Sequence, residues 1–202
     1  MGNLIYSPPV GKNVLFLGQE NSGKTHTLMQ LVFQSCRIEA DPAEALKPQP
    51  TIRMNNERLT FVGNQSSEVF EFWDFPGAPH FRYMWEATYQ NVVFDYVVYF
   101  IDAMSCHEAK DHQRLNHDRM ELQSLLKNES LRNTKKIVYL NWKSDSDDVR
   151  DFHSEHEILD ALGLVPNQSQ HEQDEEGNPI RLCEIVETFK SLHERLEIPE
   201  RH

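Results

Sequence analysis

The chain has 202 residues, 39% of them apolar and 26% charged, which suits one globular domain. No apolar run approaches the ~18 residues that a membrane span needs. The formal net charge of −12, with no basic stripe to neutralise phosphates, argues against nucleic acid as a partner and against broad attachment to anionic lipid.

The amino terminus, Met1-Gly2-Asn3-Leu4-Ile5-Tyr6-Ser7, leaves two readings open. An acylated Gly2 would give peripheral membrane contact, although Tyr6 stands where the myristoylation motif expects Ser or Thr. A flexible tip over residues 1–10 is the other reading, and Pro8-Pro9 stops any long amphipathic helix there. No secretory signal or prenylation box is present. The three cysteines, Cys36, Cys106 and Cys183, are far apart and form no C-x-x-C. Buried, unreactive thiols in a reducing, cytoplasmic setting are the expectation.

Behind the apolar run Val14-Leu15-Phe16-Leu17 comes Gly18-Gln19-Glu20-Asn21-Ser22-Gly23-Lys24-Thr25, which fits G-x-x-x-x-G-K-[ST] between a strand and a helix. Gly18 and Gly23 let the backbone turn tightly, so that the N–H groups across Glu20, Asn21 and Ser22 face one concavity able to hold a polyphosphate. Lys24 reaches the outer phosphates as a point charge, and the Thr25 hydroxyl suits Mg²⁺. The helix that follows, through Met29, Leu31, Val32 and Phe33, sets its positive end at the anion.

Residues 39–50 are polar and proline-rich and read as a loop leading to Thr51. Glu57–Gly63 and Glu68–Phe75 flank Asn64-Gln65-Ser66-Ser67 as an antiparallel hairpin, whose second arm ends in Trp73-Asp74-Phe75-Pro76-Gly77. Tyr96–Ile101 is a continuous apolar strand ending at Asp102. His107–Lys127 reads as a helix, with Leu115, Leu122, Leu125 and Leu126 on one face. Lys136–Trp142 is a further strand of the kind buried on both sides. Asp151–Leu162 is a helix stopped by Gly163, residues 166–179 are a mobile polar loop, and Ile180–Leu196 is a closing amphipathic helix. The order implies an α/β fold with a mostly parallel sheet between helices. One domain over residues 11–197 is expected, with a tail at 198–202.

The order of P-loop, isolated Thr51, hairpin, D-x-x-G and a strand ending in Asn141 resembles the small GTPases. Trp73-Asp74 heading the D-x-x-G, Phe81-Arg82-Tyr83-Met84-Trp85, Tyr89-Gln90-Asn91, Pro50-Thr51-Ile52 and Ile158–Leu164 are similar to the Arf/Arl branch. The resemblance implies the P-loop small-GTPase fold with an antiparallel interswitch hairpin that slides in register between nucleotide states. It assigns GTP or GDP phosphates to Asn21, Gly23, Lys24 and Thr25. Mg²⁺ goes to Thr25 and Thr51, with Asp74 acting through water, and γ-phosphate sensing goes to the Gly77 N–H. It implies protein effectors or assembly subunits bound through the switch loops and hairpin. Phe70, Phe72, Phe75 and Trp85 read as packing, and an exposed aromatic nearby as a partner site.

Three departures bear on activity. The Gln that orients attacking water in the family is here Ala78, so even a slow turnover of ~10⁻⁴ per second should fall. His80, two places on, is a candidate catalytic replacement or a surface residue of the loop. The base motif N-K-x-D is displaced in Asn141-Trp142-Lys143-Ser144-Asp145. If Asn141 is in register, Ser144 replaces the Asp; if Asp145 is in register, Trp142 replaces the Asn. A one-residue bulge would restore Asn141, Lys143 and Asp145 together. Without it, base choice weakens by ~1.5–3 kcal/mol for each hydrogen bond lost to a charged group. The loop that backs the base in the family is not recognisable after Pro166. Two functions follow: an Arf-like nucleotide switch, at most a slow or partner-dependent GTPase, or an inactive Arf-fold subunit of a larger assembly.

Overall fold

The computed structural model describes residues 11–38, 50–64, 66–104, 111–142, 155–164, 183–186 and 189–199. The chain runs through β1 (Lys12–Gly18), α1 (Lys24–Cys36), β2 (Asn55–Val62), β3 (Ser67–Asp74) and a 3₁₀ turn at Pro79–Phe81. It continues through α2 (Tyr83–Tyr89), β4 (Tyr96–Asp102), α3 (Asp111–Leu126), β5 (Lys135–Asn141), α4 (Glu155–Leu162), β6 (Glu184–Val186) and α5 (Phe189–Arg195). The six strands form one sheet in the order β2-β3-β1-β4-β5-β6. The β2–β3 pair is antiparallel and every other neighbouring pair is parallel.

Parallel neighbours need crossovers, and the crossing helices cover both faces of the sheet. Successive residues of β1 therefore go to opposite cores. Leu15 and Leu17 join Trp85, Tyr99, Leu122 and Leu162 on one face. Val14 and Phe16 join Leu28, Leu31, Phe72 and Leu192 on the other. The second core contains a run of rings. Phe70 stacks on Phe72, and Phe72 meets Phe16 edge-on at 5.5 Å. Phe16 then meets Phe100 at 4.8 Å, and Phe100 meets Tyr139 at 5.1 Å. These contacts fix the strand ends that carry the P-loop, Asp74 and Asn141. Among the described residues, no helix is long and apolar enough to cross a membrane.

Three sequence expectations need correction. The closing helix is shorter than Ile180–Leu196, because Glu184–Val186 forms β6 and pairs with Ile137–Tyr139 of β5. An apolar run this short does not reveal its period, and a sheet edge beside β5 decided it. Cys36 is exposed rather than buried, since it lies in the last turn of α1 just before the left-handed cap residue Arg37. Cys183 is half-buried, with its thiol pushed up to about 11 by burial, which keeps it protonated at neutral pH. Ile198, read as tail, is buried in the second core beside Leu196. Gly163 ends α4 as expected, at φ 71°, with Leu164 N–H donating to the Leu159 carbonyl. The acylation question, Cys106 and the 166–179 loop lie outside the described residues.

Phe16→Ala should cost about 3–5 kcal/mol, the range for truncating a buried aromatic. Phe16 is fully buried between two rings, so the site has little freedom to collapse. Guanidinium unfolding monitored by tryptophan fluorescence checks this.

Candidate functional site

The turn from β1 into α1 leaves the right-handed backbone region at Gly18 (φ 137°), Asn21 (φ 61°) and Gly23 (φ 95°). Alternation of this kind aims successive N–H groups into one concavity, the geometry that holds anions. Gly23 caps α1 and lies against the Asn141 side chain, so closely that a Cβ would collide with the amide nitrogen. Asn141 Nδ2 donates to the Ser22 carbonyl at 3.0 Å, which ties the end of β5 to the P-loop. Its neighbour Trp142 is buried in the first core, which leaves Asn141 as the residue of the pair at the site. Lys143, Ser144 and Asp145 lie outside the described residues.

Lys24 is 5% exposed and its ammonium donates to the carbonyls of Gly18 (2.9 Å) and Gln19 (2.7 Å) and to Ser22 Oγ (3.3 Å). Burial lowers its pKa to about 8, against the opposing pull of Asp74. Thr25 Oγ1 donates to Asp74 Oδ2 at 2.6 Å and lies 2.7 Å from Thr51 Oγ1. Asn55 Nδ2, which the sequence did not single out, donates to the same carboxylate oxygen at 3.2 Å. Burial raises the Asp74 pKa, and hydrogen bonds from Thr25 and Asn55 with the Lys24 charge oppose it. The second oxygen, Asp74 Oδ1, is buried with no hydrogen-bond partner among the described residues.

Two hydroxyls beside a carboxylate with an unused oxygen form a hard donor set that fits Mg²⁺. The expected ligands Thr25, Thr51 and Asp74 are therefore brought together. They come from three segments: α1, the chain before β2, and the end of β3.

The segment that follows β3, residues 75–82, rests on the P-loop. Gly77 packs so tightly on the Gln19–Glu20 backbone that a Cβ would overlap it. Ala78 follows in extended conformation and heads the 3₁₀ turn, accepting from the Phe81 N–H at 3.0 Å. Its methyl group holds no water. His80 is exposed, with its ring against Phe81 at 4.0 Å between centroids. Glu20 is also exposed, and its carbonyl accepts from Arg114 Nη2 at 2.5 Å. Phe70, Phe72, Phe75 and Trp85 are buried, as read, while Ile52 (69%) and Tyr83 (71%) stand out to solvent on the segments before β2 and after β3.

The sequence reading missed the support that α3 gives the P-loop, through Arg114 and Asp118. A signal was present: Asp118 shares the stripe of Leu115, Leu122 and Leu125, where a carboxylate is out of place.

Residues 10–196 match the model of the ADP-ribosylation factor family. The chain is 32% identical to ADP-ribosylation factor-like protein 14 of Mus musculus over 143 residues, 70% of this chain and 65% of that protein. The match therefore spans just under two thirds of that relative's length. It is 27% identical to ADP-ribosylation factor-like protein 5A of Homo sapiens over 152 residues, 75% of this chain and 71% of that protein. The fold is similar to that of the Arl6 BBS3 small GTPase of Trypanosoma brucei, solved with the nucleotide analogue GppNp. There the TM-score is 0.59 at 23% identity, over 93% of this chain and 94% of that one.

Gly77→Ala should cost about 1–3 kcal/mol, the usual penalty for overpacking, and should speed amide exchange across residues 75–82. Chemical denaturation and exchange mass spectrometry check the pair. Unchanged exchange would show that this backbone contact is not tight in solution.

Proposed function

The chain belongs to the ADP-ribosylation factor family, and on that premise we propose that it is a guanine-nucleotide switch that recruits protein partners and hydrolyses GTP slowly or only with a partner's help. The observation that carries this reading is the convergence of Thr25, Thr51 and Asp74 beside Lys24, with a spare buried oxygen on Asp74. A chain that had given up nucleotide would have little reason to keep a carboxylate buried and half-satisfied there.

Each residue has a physical task in this reading. The P-loop N–H groups and the start of α1 hold the phosphates, and Lys24 supplies the cation. Bound Mg²⁺ would neutralise phosphate charge, held by Thr25 and Thr51 with Asp74 acting through water. Gly77 lies where its backbone follows any shift of the P-loop, which suits a γ-phosphate sensor. Asn141 links the base side of the site to Ser22. With Asn141 in register, Ser144 falls at the acidic position of the base motif, so guanine is held less selectively unless a bulge returns Asp145. Ile52 and Tyr83 offer partners an apolar contact on the two segments that nucleotide would order.

Ala78 favours a second reading of the turnover step alone: the protein holds GTP without cycling, as a fixed subunit of an assembly. His80 is exposed, with its ring against Phe81, and a catalytic role for it would need the ring to leave that contact.

Denaturing the purified protein should release guanine nucleotide at close to one per chain, identified by chromatography. Chelating Mg²⁺ should speed its exchange, and Lys24→Ala should come out empty. Single-turnover hydrolysis should run below about 10⁻⁴ per second, and Ala78→Gln should raise it. No released nucleotide, together with no thermal shift from added Mg-GTP, would sink the switch reading. Nucleotide without any gain from Ala78→Gln would favour the fixed subunit.

A further inference from the structure

One buried acid next to the P-loop has no part in the reading above. Asp118 of α3 is 2% exposed and accepts from the hydroxyl of Tyr99, itself 1% exposed, at 2.8 Å. The Gln19 side chain reaches the neighbourhood of this carboxylate, where it favours the charged form. Gln19 Nε2 donates to the Arg114 carbonyl at 2.6 Å, one turn earlier on α3. The second residue of the P-loop is thus held by α3 through its side chain. Its carbonyl holds the Lys24 ammonium at 2.7 Å, and its backbone is the surface on which Gly77 rests.

We propose that Asp118, acting through Gln19 and supported by Tyr99, is a positioning residue that sets how firmly the P-loop holds nucleotide. This rests on the nucleotide-binding reading of that loop. A buried carboxylate is costly unless its oxygens are satisfied, so as an anion it draws the Gln19 amide and the Tyr99 hydroxyl toward it. The ordering is passed along the Gln19 main chain to the two groups that hold or sense phosphate, Lys24 and Gly77. Once protonated, Asp118 loses the charge that exerts this pull, and Gln19 is less constrained.

The device therefore responds to acid. Burial raises the Asp118 pKa to about 6, and the Gln19 side chain, the Tyr99 hydroxyl and the charges of Arg114 and Arg82 oppose the rise. The Lys24 ammonium also acts on it, and Glu121 of the same helix stands near Tyr99 and is ion-paired to Arg82. The raised pKa gives the sign. The carboxylate is charged above pH 6 and gains its proton as pH falls through that value, so the hold is firm at neutral pH and loosens under mild acid.

The test measures release of a preloaded fluorescent GDP analogue between pH 7.5 and 5.5 from the full chain, Asp118→Asn and Tyr99→Phe. Amide exchange across residues 19–23, corrected for its intrinsic pH dependence, is followed in parallel. Wild type should release about tenfold faster at pH 5.5 than at 7.5, the factor for losing one charge-assisted hydrogen bond. Asp118→Asn should release fast at both values with a flat profile, because the carboxylate that titrates in this range is gone. Tyr99→Phe, which loses only a hydroxyl, should keep the acid response with a higher midpoint, and it serves should Asp118→Asn fail to fold.

Identical pH profiles for wild type and Asp118→Asn would overturn the proposal, since a merely structural acid would change stability without moving the profile. A Tyr99→Phe midpoint that did not move would do the same if only that variant folded. If the protein carries no nucleotide at all, the nucleotide reading fails, and the exchange data decide this one separately. Acid-dependent exposure of residues 19–23 that Asp118→Asn abolishes would support it, and equal exposure would overturn it.

Discussion

The hydrogen bond between Thr25 and Asp74 is the constraint on which the rest of the site depends. At 2.6 Å it joins the first turn of α1 to the end of β3 across the middle of the sheet. Strand register sets it up, because Asp74 pairs with Phe16 of β1, two residues before Gly18, where the P-loop begins. A parallel neighbour of β1 must deliver its last side chain to the same edge that the P-loop leaves from, the usual ligand edge of an open parallel sheet. The aromatic contacts of Phe70, Phe72 and Phe16 hold that register from the far side. Packing in the second core and ligand geometry at the sheet edge are thus one problem, solved by strands whose alternate residues serve each.

How legible this was depends on how far apart the partners lie in sequence. The P-loop could be read directly, since its chemistry needs eight consecutive residues and local backbone conformation, and Gly18, Asn21 and Gly23 adopt left-handed φ values. Thr51 and Asp74 carry no such local signal and were reached by resemblance. Their meeting at Thr25 is a tertiary event. Trp142 against Asn141 was undecidable from spacing, and core packing decided it by burying the indole. β6 was lost because three residues show no period, while Cys36 followed the average habit of cysteine rather than its place at a helix end. Gln19, Tyr99 and Asp118 escaped for a different reason. Each is ordinary alone, and the buried network exists only once β4 and α3 are side by side.

A chain with a net charge of −12 looks badly suited to a polyphosphate. The objection fails because the site does not use net charge. Its attraction comes from oriented N–H dipoles and a helix terminus, short-range features hardly altered by exposed carboxylates beyond a Debye length of about 8–10 Å. Lys24 adds the one buried cation of the loop. Burial lowers its pKa to about 8, so a phosphate anion beside it would favour the charged form. Asp74 is the mirror case, a carboxylate raised by burial with an oxygen to spare for a cation.

Binding and turnover then separate cleanly in this chain. The groups proposed to hold phosphate and cation are fixed by their surroundings: Lys24 and Asp74 by burial, Thr25 by its bond to Asp74, and the Gly77 backbone by its packing on Gln19. The one position that would organise an attacking water is a methyl group, Ala78. Helix α3 ties the two regions into one unit. The Arg114 guanidinium donates to the Glu20 carbonyl, the Arg114 carbonyl accepts from the Gln19 side chain, and Glu121 pairs with Arg82 just before α2. A shift of the second switch segment must therefore work against the same helix that braces the P-loop. Coupling of that kind needs no hydrolytic residue, because it depends on which state the nucleotide stabilises and not on how fast it is consumed. On the proposed reading, a switch with this wiring would keep its mechanical output without a catalytic glutamine, and what it would lose is the internal clock that returns it to the other state.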